Sequence, residues 1–352
     1  MIKLPIKIVQ LLWSCGNNKV EHLNGYDKEL SKATFDIVST SPFVIQTDSV
    51  SILLTRDEND PNIENYQYAV LTNKKPRKSE FLKGNILSIR WIKHPTFTTL
   101  HPNEIAASWK ERFLYRKEDI PNSIFGLRAP QLGAIYAFMS KAQIHHGRNI
   151  IVMPTGTGKT ETMLSILIAN QCPKVLITVP SDALRDQLAN KFITLGILPK
   201  YEIVASDCIY PNVGIVKEGM DYNGWHSLIE KSNVIITTMP LITNSESTII
   251  DLLRANISHL FIDEAHHSEA KTWSEFIDSF DDEKVTLFTA TPFRNDSRRL
   301  RGDFIYNFSL KDAQSQGYYK PIKFIPIREY DLIQADRHIA EVAVNQLRSD
   351  IE

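Results

Sequence analysis

The chain has 352 residues, of which 43% are hydrophobic and 23% are charged, and its formal net charge is −1. This length fits two domains of ordinary size, and the composition is that of a globular chain that can bury a sizeable core. Because the charges balance, no whole-protein positive field favours nucleic acid, and any site for it has to be a local basic groove.

The composition also argues against several classes of protein. The three cysteines, Cys15, Cys172 and Cys208, show no C-x-x-C spacing. Neither a zinc site nor a disulfide framework is therefore predicted, and a reducing cytoplasm is the expected location. No apolar stretch approaches the roughly 18 residues that a membrane span needs, so no membrane partner is expected. The start of the chain is too interrupted by polar residues for a signal peptide.

Residues 1–120 are predicted to form an accessory domain that is β-rich or α+β. Turn signals separate short runs of β-branched and aromatic residues, which is typical of strands. The predicted strands cover residues 6–12, 43–54, 66–71 and 86–92, and residues 104–115 are predicted to form a helix leading into the next domain.

Two features of this first part have open interpretations. The dense basic cluster Lys74-Lys75-Pro76-Arg77-Lys78 fits either a solvated loop or a nucleic-acid contact. Trp91 and Trp109 fit either core anchors or stacking platforms for bases. No binding module is recognisable here.

Beyond residue 120 the pattern changes to strands alternating with helices, as a doubly wound parallel sheet requires. Apolar residues at helical spacing from Leu132 to Met139 predict a helix before the first strand. Buried strands are predicted at residues 149–152, 174–179, 201–205, 233–238, 259–263 and 285–290.

A phosphate-binding loop is predicted at residues 153–160, which read Met-Pro-Thr-Gly-Thr-Gly-Lys-Thr between a strand and a helix. Glycines there let backbone N–H groups approach phosphate oxygens, and the helix dipole favours the same anion. Lys159 is expected to reach the β and γ phosphates, and the Thr160 hydroxyl to hold Mg²⁺. The predicted nucleotide-binding residues of the loop are Thr155, Gly156, Thr157, Gly158, Lys159 and Thr160. Met153 stands where the consensus begins with glycine, which is tolerable if its backbone conformation is that of an ordinary strand end.

A pair of acidic residues at the end of another apolar run supplies the carboxylates that the phosphate-binding loop lacks. Asp263 and Glu264 follow the predicted strand at residues 259–263, and α/β sheets place their ligands at the carboxyl ends of such strands. Asp263 is the expected ligand of magnesium, and Glu264 is placed to polarise the attacking water. Together with Lys159 they predict binding and hydrolysis of a nucleoside triphosphate.

At these residues the chain resembles the superfamily 2 helicases and translocases of the DEAH-box type, a group that includes restriction-enzyme motor subunits and DNA-repair translocases. Four further segments match in the family's order: 125–131, 179–187, 236–240 and 289–294. The resemblance covers roughly residues 120–325. It implies a RecA-like first motor domain at residues 121–328, followed by a helical linker at residues 329–352 toward a second motor domain.

The resemblance also implies roles for individual residues. Gln131 would read the adenine, while Thr289 and Thr291 would couple hydrolysis to strand movement. The residues implied to contact the nucleic-acid strand are Pro180, Ser181, Arg185 and Thr238. Arg128 fits equally a stack near the adenine and a pair with a surface carboxylate. Arg185 lies on a helix whose outer face would carry charge in any case.

Histidines near the two motifs have competing interpretations. His266 and His267 fit solvated residues after a strand, but His266 is better explained as a bridge from the nucleotide site to Thr289 and Thr291, at another strand end in the same crevice. His145 and His146 suggest a metal, yet no further ligand stands nearby, so a loop is the preferred interpretation.

The predicted function is therefore that of an ATP- and Mg²⁺-dependent helicase or translocase, with DNA favoured over RNA because residues 289–294 resemble the DNA-motor branches. The alternative is an ATP-gated DNA-binding clamp or sensor subunit of a restriction, defence or repair assembly, without strand separation. Family members need a second motor domain with arginine fingers, and no such sequence follows Arg328. We therefore expect this chain to be one piece of a larger protein and to turn ATP over slowly by itself.

Overall fold

The computed structural model describes residues 2–15, 18–97, 100–142, 147–267, 271–292, 299–319, 326–327 and 332–351. The chain divides into two compact units, residues 1–309 and residues 310–352. Its strands are β1 (Lys7–Cys15), β2 (Asn18–Tyr26), β3 (Asp36–Thr40), β4 (Phe43–Gln46), β5 (Ser51–Thr55), β6 (Tyr68–Thr72), β7 (Ser88–Lys93), β8 (Asn149–Val152), β9 (Val175–Val179), β10 (Val213–Val216), β11 (Val234–Thr238), β12 (His259–Ile262), β13 (Val285–Thr289) and β14 (Asp303–Asn307). Its α-helices are α1 (Lys78–Leu82), α2 (Pro102–Ser108), α3 (Ala129–Ala142), α4 (Lys159–Ala169), α5 (Asp182–Thr194), α6 (Tyr222–Lys231), α7 (Met239–Thr243), α8 (Ser247–Asn256), α9 (Lys271–Asp278), α10 (Leu310–Ser315) and α11 (Leu332–Ile351).

Seven parallel strands form the centre of the first unit, in the order β10-β11-β9-β12-β13-β8-β14. Every residue of β8, β9, β11 and β13 is buried, because helices cover both faces of the sheet. The predicted fold class is confirmed: this is a RecA-like α/β sheet, and a β-rich region precedes it.

Helices pack on the two faces through separate apolar clusters. Successive strand residues point to opposite faces, so Ile177 belongs to the cluster with α3, α4 and α5, and Leu176 to the cluster with α6 to α9. Residues 161–168 of α4 are all buried, as befits the helix that carries the phosphate-binding loop. Its position relative to the sheet is therefore fixed by packing on all sides.

A second sheet, of five strands in the order β3-β4-β5-β6-β7, lies in the amino-terminal region. Trp91 is fully buried in its core and donates from Nε1 to the Pro5 carbonyl at 2.8 Å. Trp109 is likewise buried and donates to the Ile209 carbonyl at 2.7 Å. Both tryptophans are core anchors in this structure and offer no open face to a base.

The hairpin β1–β2 extends the seven-stranded parallel sheet, because β2 pairs antiparallel with β10. The start of the chain is thus continuous with the sheet that carries the phosphate-binding loop. The predicted boundary near residue 120 remains a prediction, but it does not separate two sheets cleanly.

One predicted strand is wrong, and β10, which follows it in the chain, is among the strands that were not predicted. Residues 201–205 form no strand: Glu202 has a φ of 51°, and the apolar Ile203 and Val204 pack into the core from a turn. The next strand along the chain is β10, which was not predicted. It contains a glycine, a residue that weakens strand propensity. Gly214 is needed there, since a Cβ would lie 2.5 Å from Leu228 Cδ1 of α6.

Boundaries in the first region also differ from expectation. The run at residues 43–54 is two strands, β4 and β5, joined by a turn in which Thr47 N–H donates to the Val50 carbonyl at 2.9 Å. The predicted helix at 104–115 ends as α2 at Ser108, and Glu111 then takes a φ of 60°. Strand β14, parallel to β8, was not predicted.

The second unit contains α10 and α11. Helix α11 has twenty residues and exposes Ile339, Val344 and Leu347. Of the helices in the described ranges, none combines the length and apolarity that crossing a bilayer requires.

Candidate nucleotide and nucleic-acid site

The phosphate-binding loop joins β8 to α4 at the carboxyl edge of the sheet. Met153 N–H donates to the Thr289 carbonyl at 2.9 Å, which ties the start of the loop to the end of β13. Met153 is fully buried and is not among the residues with positive φ, so the missing consensus glycine is accommodated. Gly156 and Gly158 do have positive φ, 82° and 99°. Glycine adopts these angles without the steric penalty of a side chain.

Contacts inside the loop fix its shape. Thr157 is fully buried, and both its N–H and its hydroxyl donate to the Pro154 carbonyl, at 3.2 and 2.6 Å. Thr155 and Gly156 are exposed, and Thr160 is half-buried in the first turn of α4. The loop therefore presents its tip to solvent while its base is anchored.

The acidic pair follows β12 at the same edge. Asp263 N–H donates to the Thr178 carbonyl of β9 at 3.0 Å, and Glu264 N–H donates back to Asp263 Oδ1 at 3.0 Å. Glu264 has a φ of 50°, a left-handed conformation uncommon for a side chain of this size. Such conformations occur often where a side chain is held for function.

The structure brings the loop and the acidic pair together. Lys159 Nζ lies 2.9 Å from Glu264 Oε1, and the two side chains are only 8% and 19% exposed. The contact is an ion pair without hydrogen-bond geometry, since neither Lys159 Nζ nor Glu264 Oε2 has a hydrogen-bond partner. These buried polar atoms are therefore incompletely satisfied in the absence of a ligand.

The surroundings of Asp263 disfavour the charged form of its carboxyl group. Burial, and next the neighbouring Glu264 carboxylate, raises the pKa of Asp263 to about 6, against the opposing effect of Lys159. A positive charge placed beside this carboxylate would relieve both effects.

His266 connects the acidic pair to the end of β13. Its Nδ1 lies 3.4 Å from Glu264 Oε2 and 3.2 Å from Thr289 Oγ1. Thr289 Oγ1 in turn donates to the Thr291 carbonyl at 2.8 Å and accepts from the Thr291 N–H at 3.3 Å. Glu264, His266 and Thr289 thus form a chain of polar contacts between two strand ends.

A cavity of about 630 Å³ adjoins the phosphate-binding loop. Phe125 and Tyr201 stack at its wall, with ring centroids 5.1 Å apart and planes 20° apart. Gln131 also lines it, is 3% exposed and donates from Nε2 to the Gly158 carbonyl at 3.3 Å. Arg128 donates to the Gly156 carbonyl at 3.0 Å. The predicted base-binding segment is therefore in contact with the loop.

Sequence reasoning did not single out several of the residues that line this cavity, among them Glu161, Ile197 and Tyr201. Tyr201 had been placed in a strand, which hid its role in the cavity wall. Glu161 could have been noticed because it follows Thr160 directly.

Three of the four predicted nucleic-acid contacts lie at the same edge of neighbouring strands. Thr238 ends β11 and pairs in register with Val179, which Pro180 and Ser181 follow directly. Thr238 is 6% exposed, whereas Ser181 belongs to the exposed surface.

Arg185 is arranged differently from these three. It is 4% exposed and paired with Asp182 Oδ1 at 2.5 Å and Asp186 Oδ1 at 3.1 Å, both on its own helix. A phosphate contact by Arg185 would require it to leave these carboxylates.

Parts of two predicted features lie outside the described residues. These are the pair His145 and His146, and the last two residues of the segment 289–294, Phe293 and Arg294. Within the described ranges, no group of three or more His, Cys, Asp or Glu side chains is placed to hold a metal ion. Magnesium does not need one, because it commonly takes one or two protein ligands and completes its shell with phosphates and water.

Comparison with known families bears on this site directly. Residues 124–294 match the family model described as "Type III restriction enzyme, res subunit", a range that contains the loop, the acidic pair and the polar chain to Thr289. These residues are therefore similar to the res subunit family of type III restriction enzymes. A search of curated proteins finds no match.

Several solved structures resemble the motor domain weakly. The UvsW helicase from bacteriophage T4 is 15% identical, with 55% of this chain and 62% of that chain covered and a TM-score of 0.35. The Hef helicase domain from Pyrococcus furiosus is 24% identical, with coverages of 54% and 41% and a TM-score of 0.36. The type ISP restriction-modification enzyme LlaGI, solved with a DNA substrate mimic, is 20% identical, with coverages of 55% and 20% and a TM-score of 0.38. The chain thus spans less than two thirds of these proteins, and likenesses this low carry no argument about activity.

Proposed function

We propose that the chain is the first half of an ATP-dependent nucleic-acid motor that hydrolyses ATP to move along or unwind DNA. The observation that carries this proposal is the 2.9 Å approach of Lys159 to Glu264 beside the buried Asp263. A glycine-rich loop, a lysine and an acidic pair at one edge of a parallel sheet are what binding and hydrolysis of a nucleoside triphosphate require.

The residues present fit a magnesium-bound triphosphate. Lys159 Nζ and Glu264 Oε2 are buried polar atoms without hydrogen-bond partners, which a phosphate and an ordered water could satisfy. At Gly158 a Cβ would lie 2.0 Å from Gln131 Nε2, so the glycine lets the Gln131 side chain pack against the loop. Asp263 and Thr160 are the residues we assign to the metal. When bound, magnesium neutralises charge that develops on the phosphoryl oxygens.

The chain's own residues then have separate tasks. Lys159 exchanges Glu264 for the β and γ phosphates when the nucleotide binds, which leaves the Glu264 carboxylate free to orient water. Phe125, Tyr201 and Gln131 line the cavity assigned to adenine. Apolar walls with a few polar groups are the usual form of such a site.

His266 is assigned to coupling. Its Nδ1 lies near both Glu264 Oε2 and Thr289 Oγ1, so a change in the Glu264 carboxylate alters the contact that the same nitrogen makes at the end of β13. The Thr289 carbonyl also accepts a hydrogen bond from the Met153 N–H at the start of the phosphate-binding loop. A change at the end of β13 therefore also reaches the end of β8. Such a connection is what relaying the state of the nucleotide to another surface needs.

Nucleic acid is proposed to lie along the edge formed by Pro180, Ser181 and Thr238. Hydroxyl groups at strand ends bind phosphate oxygens and position a strand without reading its sequence. DNA is the proposed track because the family model that matches is that of a restriction enzyme subunit. Arg185 joins this surface only if it leaves Asp182 and Asp186.

The proposal is tested by measuring ATP turnover and movement together. The protein, joined to its continuation if one exists, is mixed with Mg-ATP and either a forked duplex or a closed circular duplex. DNA-stimulated hydrolysis with strand separation or displacement of a bound block supports a motor. ATP-dependent retention on the circular duplex without displacement supports the clamp instead. Absence of any ATP binding would overturn both.

A further inference from the structure

Glu161 occupies a position in the nucleotide cavity that the assignments above do not use. It follows Thr160 directly and lies in the first turn of α4. Its side chain lines the cavity that also contains Gly158 of the loop and the aromatic residues Phe125 and Tyr201. In ATP the ribose joins the phosphates to the base, so a polar group in the cavity joining both binding regions is placed to meet the sugar.

The carboxylate of Glu161 is held rather than free to move. Its side chain is 11% exposed, and Oε1 accepts from Lys191 Nζ of α5 at 2.6 Å. No hydrogen bond to Oε2 occurs among the described residues. One oxygen is therefore fixed by the lysine, and the other remains an acceptor on a side chain that lines the cavity.

The negative charge of Glu161 determines which part of the nucleotide its carboxylate can bind. A carboxylate close to a triphosphate would repel it, but Lys191 offsets the negative charge of Glu161. The remaining acceptor cannot bind phosphate oxygens, which are themselves acceptors at neutral pH. It needs a donor, and the ribose hydroxyls are donors that carboxylates bind in other nucleotide sites.

We propose that Glu161 is the ribose-binding residue of this cavity, accepting a hydrogen bond from a sugar hydroxyl, with Lys191 as the residue that positions it. The site then distinguishes ribonucleotides from deoxyribonucleotides. This inference rests on the proposed function, since it assumes that the cavity takes ATP.

The test measures displacement of a fluorescent ATP analogue by ATP, 2′-deoxy-ATP and 3′-deoxy-ATP on the full chain. The unmodified protein is expected to bind at least one of the deoxy nucleotides about tenfold more weakly than ATP, which corresponds to one hydrogen bond to a charged group. Glu161→Ala is expected to bring that ratio close to one. Glu230→Gln, at an exposed carboxylate of α6, is the matched control and should leave the ratio unchanged.

Lys191→Met tests the positioning role. It breaks the ion pair and leaves the Glu161 carboxylate free to move, so the preference for ribose should fall below that of the unmodified protein, and an unchanged preference would remove Lys191 from the proposal. An equal preference for ATP and both deoxy nucleotides in the unmodified protein overturns the inference. So does an unchanged ratio in Glu161→Ala. If ATP itself fails to displace the analogue, it is the proposed function that fails.

Discussion

Lys159 and Glu264 form a buried ion pair, with 2.9 Å between Nζ and Oε1, although the loop of one and the strand end of the other are far apart in the chain. Each side chain is the charged partner of the other in this arrangement. ATP has to separate them, because Lys159 is needed at the phosphates and Glu264 at the water. The ion pair therefore competes with ATP. Removing the charge of Glu264 should favour ATP binding, whereas removing the charge of Lys159 should weaken it.

Glu264→Gln is expected to retain or tighten ATP binding and to stop hydrolysis. The amide cannot orient and polarise water as the carboxylate does, and it no longer holds Lys159 by charge. Binding is measured by titration calorimetry and hydrolysis by phosphate release. Glu275→Gln, on the exposed face of α9, is the control. Turnover of the Glu264→Gln protein at the unmodified rate would remove the catalytic assignment.

Asp263→Asn is expected to stabilise the protein without nucleotide near neutral pH. The folded pKa of Asp263, about 6, lies above its ordinary value of 3.8. A raised pKa contributes stability that is complete below about pH 4 and is lost as pH rises through about 6. Asparagine does not ionise, so the variant should gain on the order of 1–3 kcal/mol at pH 7 and nothing at pH 4.

Urea unfolding at the two pH values checks this expectation in metal-free buffer. The same variant should lose magnesium-dependent ATP binding, so a gain in stability and a loss of binding occur in one protein. Equal stability differences at pH 4 and pH 7 would show that the Asp263 carboxylate is not strained by its surroundings.

Gly126→Ala is expected to lower the free energy of unfolding by about 1–3 kcal/mol, as overpacking does in a closed site. A Cβ at this position would lie 2.6 Å from the Lys117 carbonyl carbon and 2.7 Å from the Arg116 oxygen, and this backbone cannot move aside like a side chain. Gly219→Ala is the matched control, since nothing lies within 4 Å of its Cβ position. A thermal melt that shifts equally in both variants would contradict the close packing seen here.

Releasing Arg185 from its carboxylates is expected to strengthen DNA binding. The double variant Asp182→Asn, Asp186→Asn leaves the guanidinium without the partners at 2.5 and 3.1 Å. One additional phosphate contact should steepen the dependence of log affinity on log salt by about 0.9. Adding Arg185→Met should reverse both changes. An affinity gain that survives Arg185→Met would mean that the lost negative charges, and not Arg185, are responsible.

Much of the site followed from the sequence because its parts are local. The loop at 153–160 and Asp263-Glu264 each sit directly after a short run of apolar residues, so the strand ends and their common edge could be predicted together. The carboxyl ends of parallel strands lie along one edge of a sheet, so Lys159 and Glu264 could be expected at the same edge.

The remaining features of the fold and the site depend on contacts between distant segments, which no local sequence pattern predicts. Tyr201 reaches the cavity from a turn, not from a strand, and Lys191 meets Glu161 across two helices. Strand β10 carries a glycine demanded by α6, and the hairpin β1–β2 joins the motor sheet from the other end of the chain. Arg185 could be placed on a helix from the sequence, but not its capture by two carboxylates.

The most direct test of the central claim is calorimetric titration of ATP into the protein with and without Mg²⁺. The account predicts saturable one-to-one binding that weakens when magnesium is removed and falls at least tenfold in Lys159→Ala, with Lys271→Ala, an exposed lysine of α9, binding normally. Equal ATP affinity in Lys159→Ala and the unmodified protein, or no binding by either, would contradict the account.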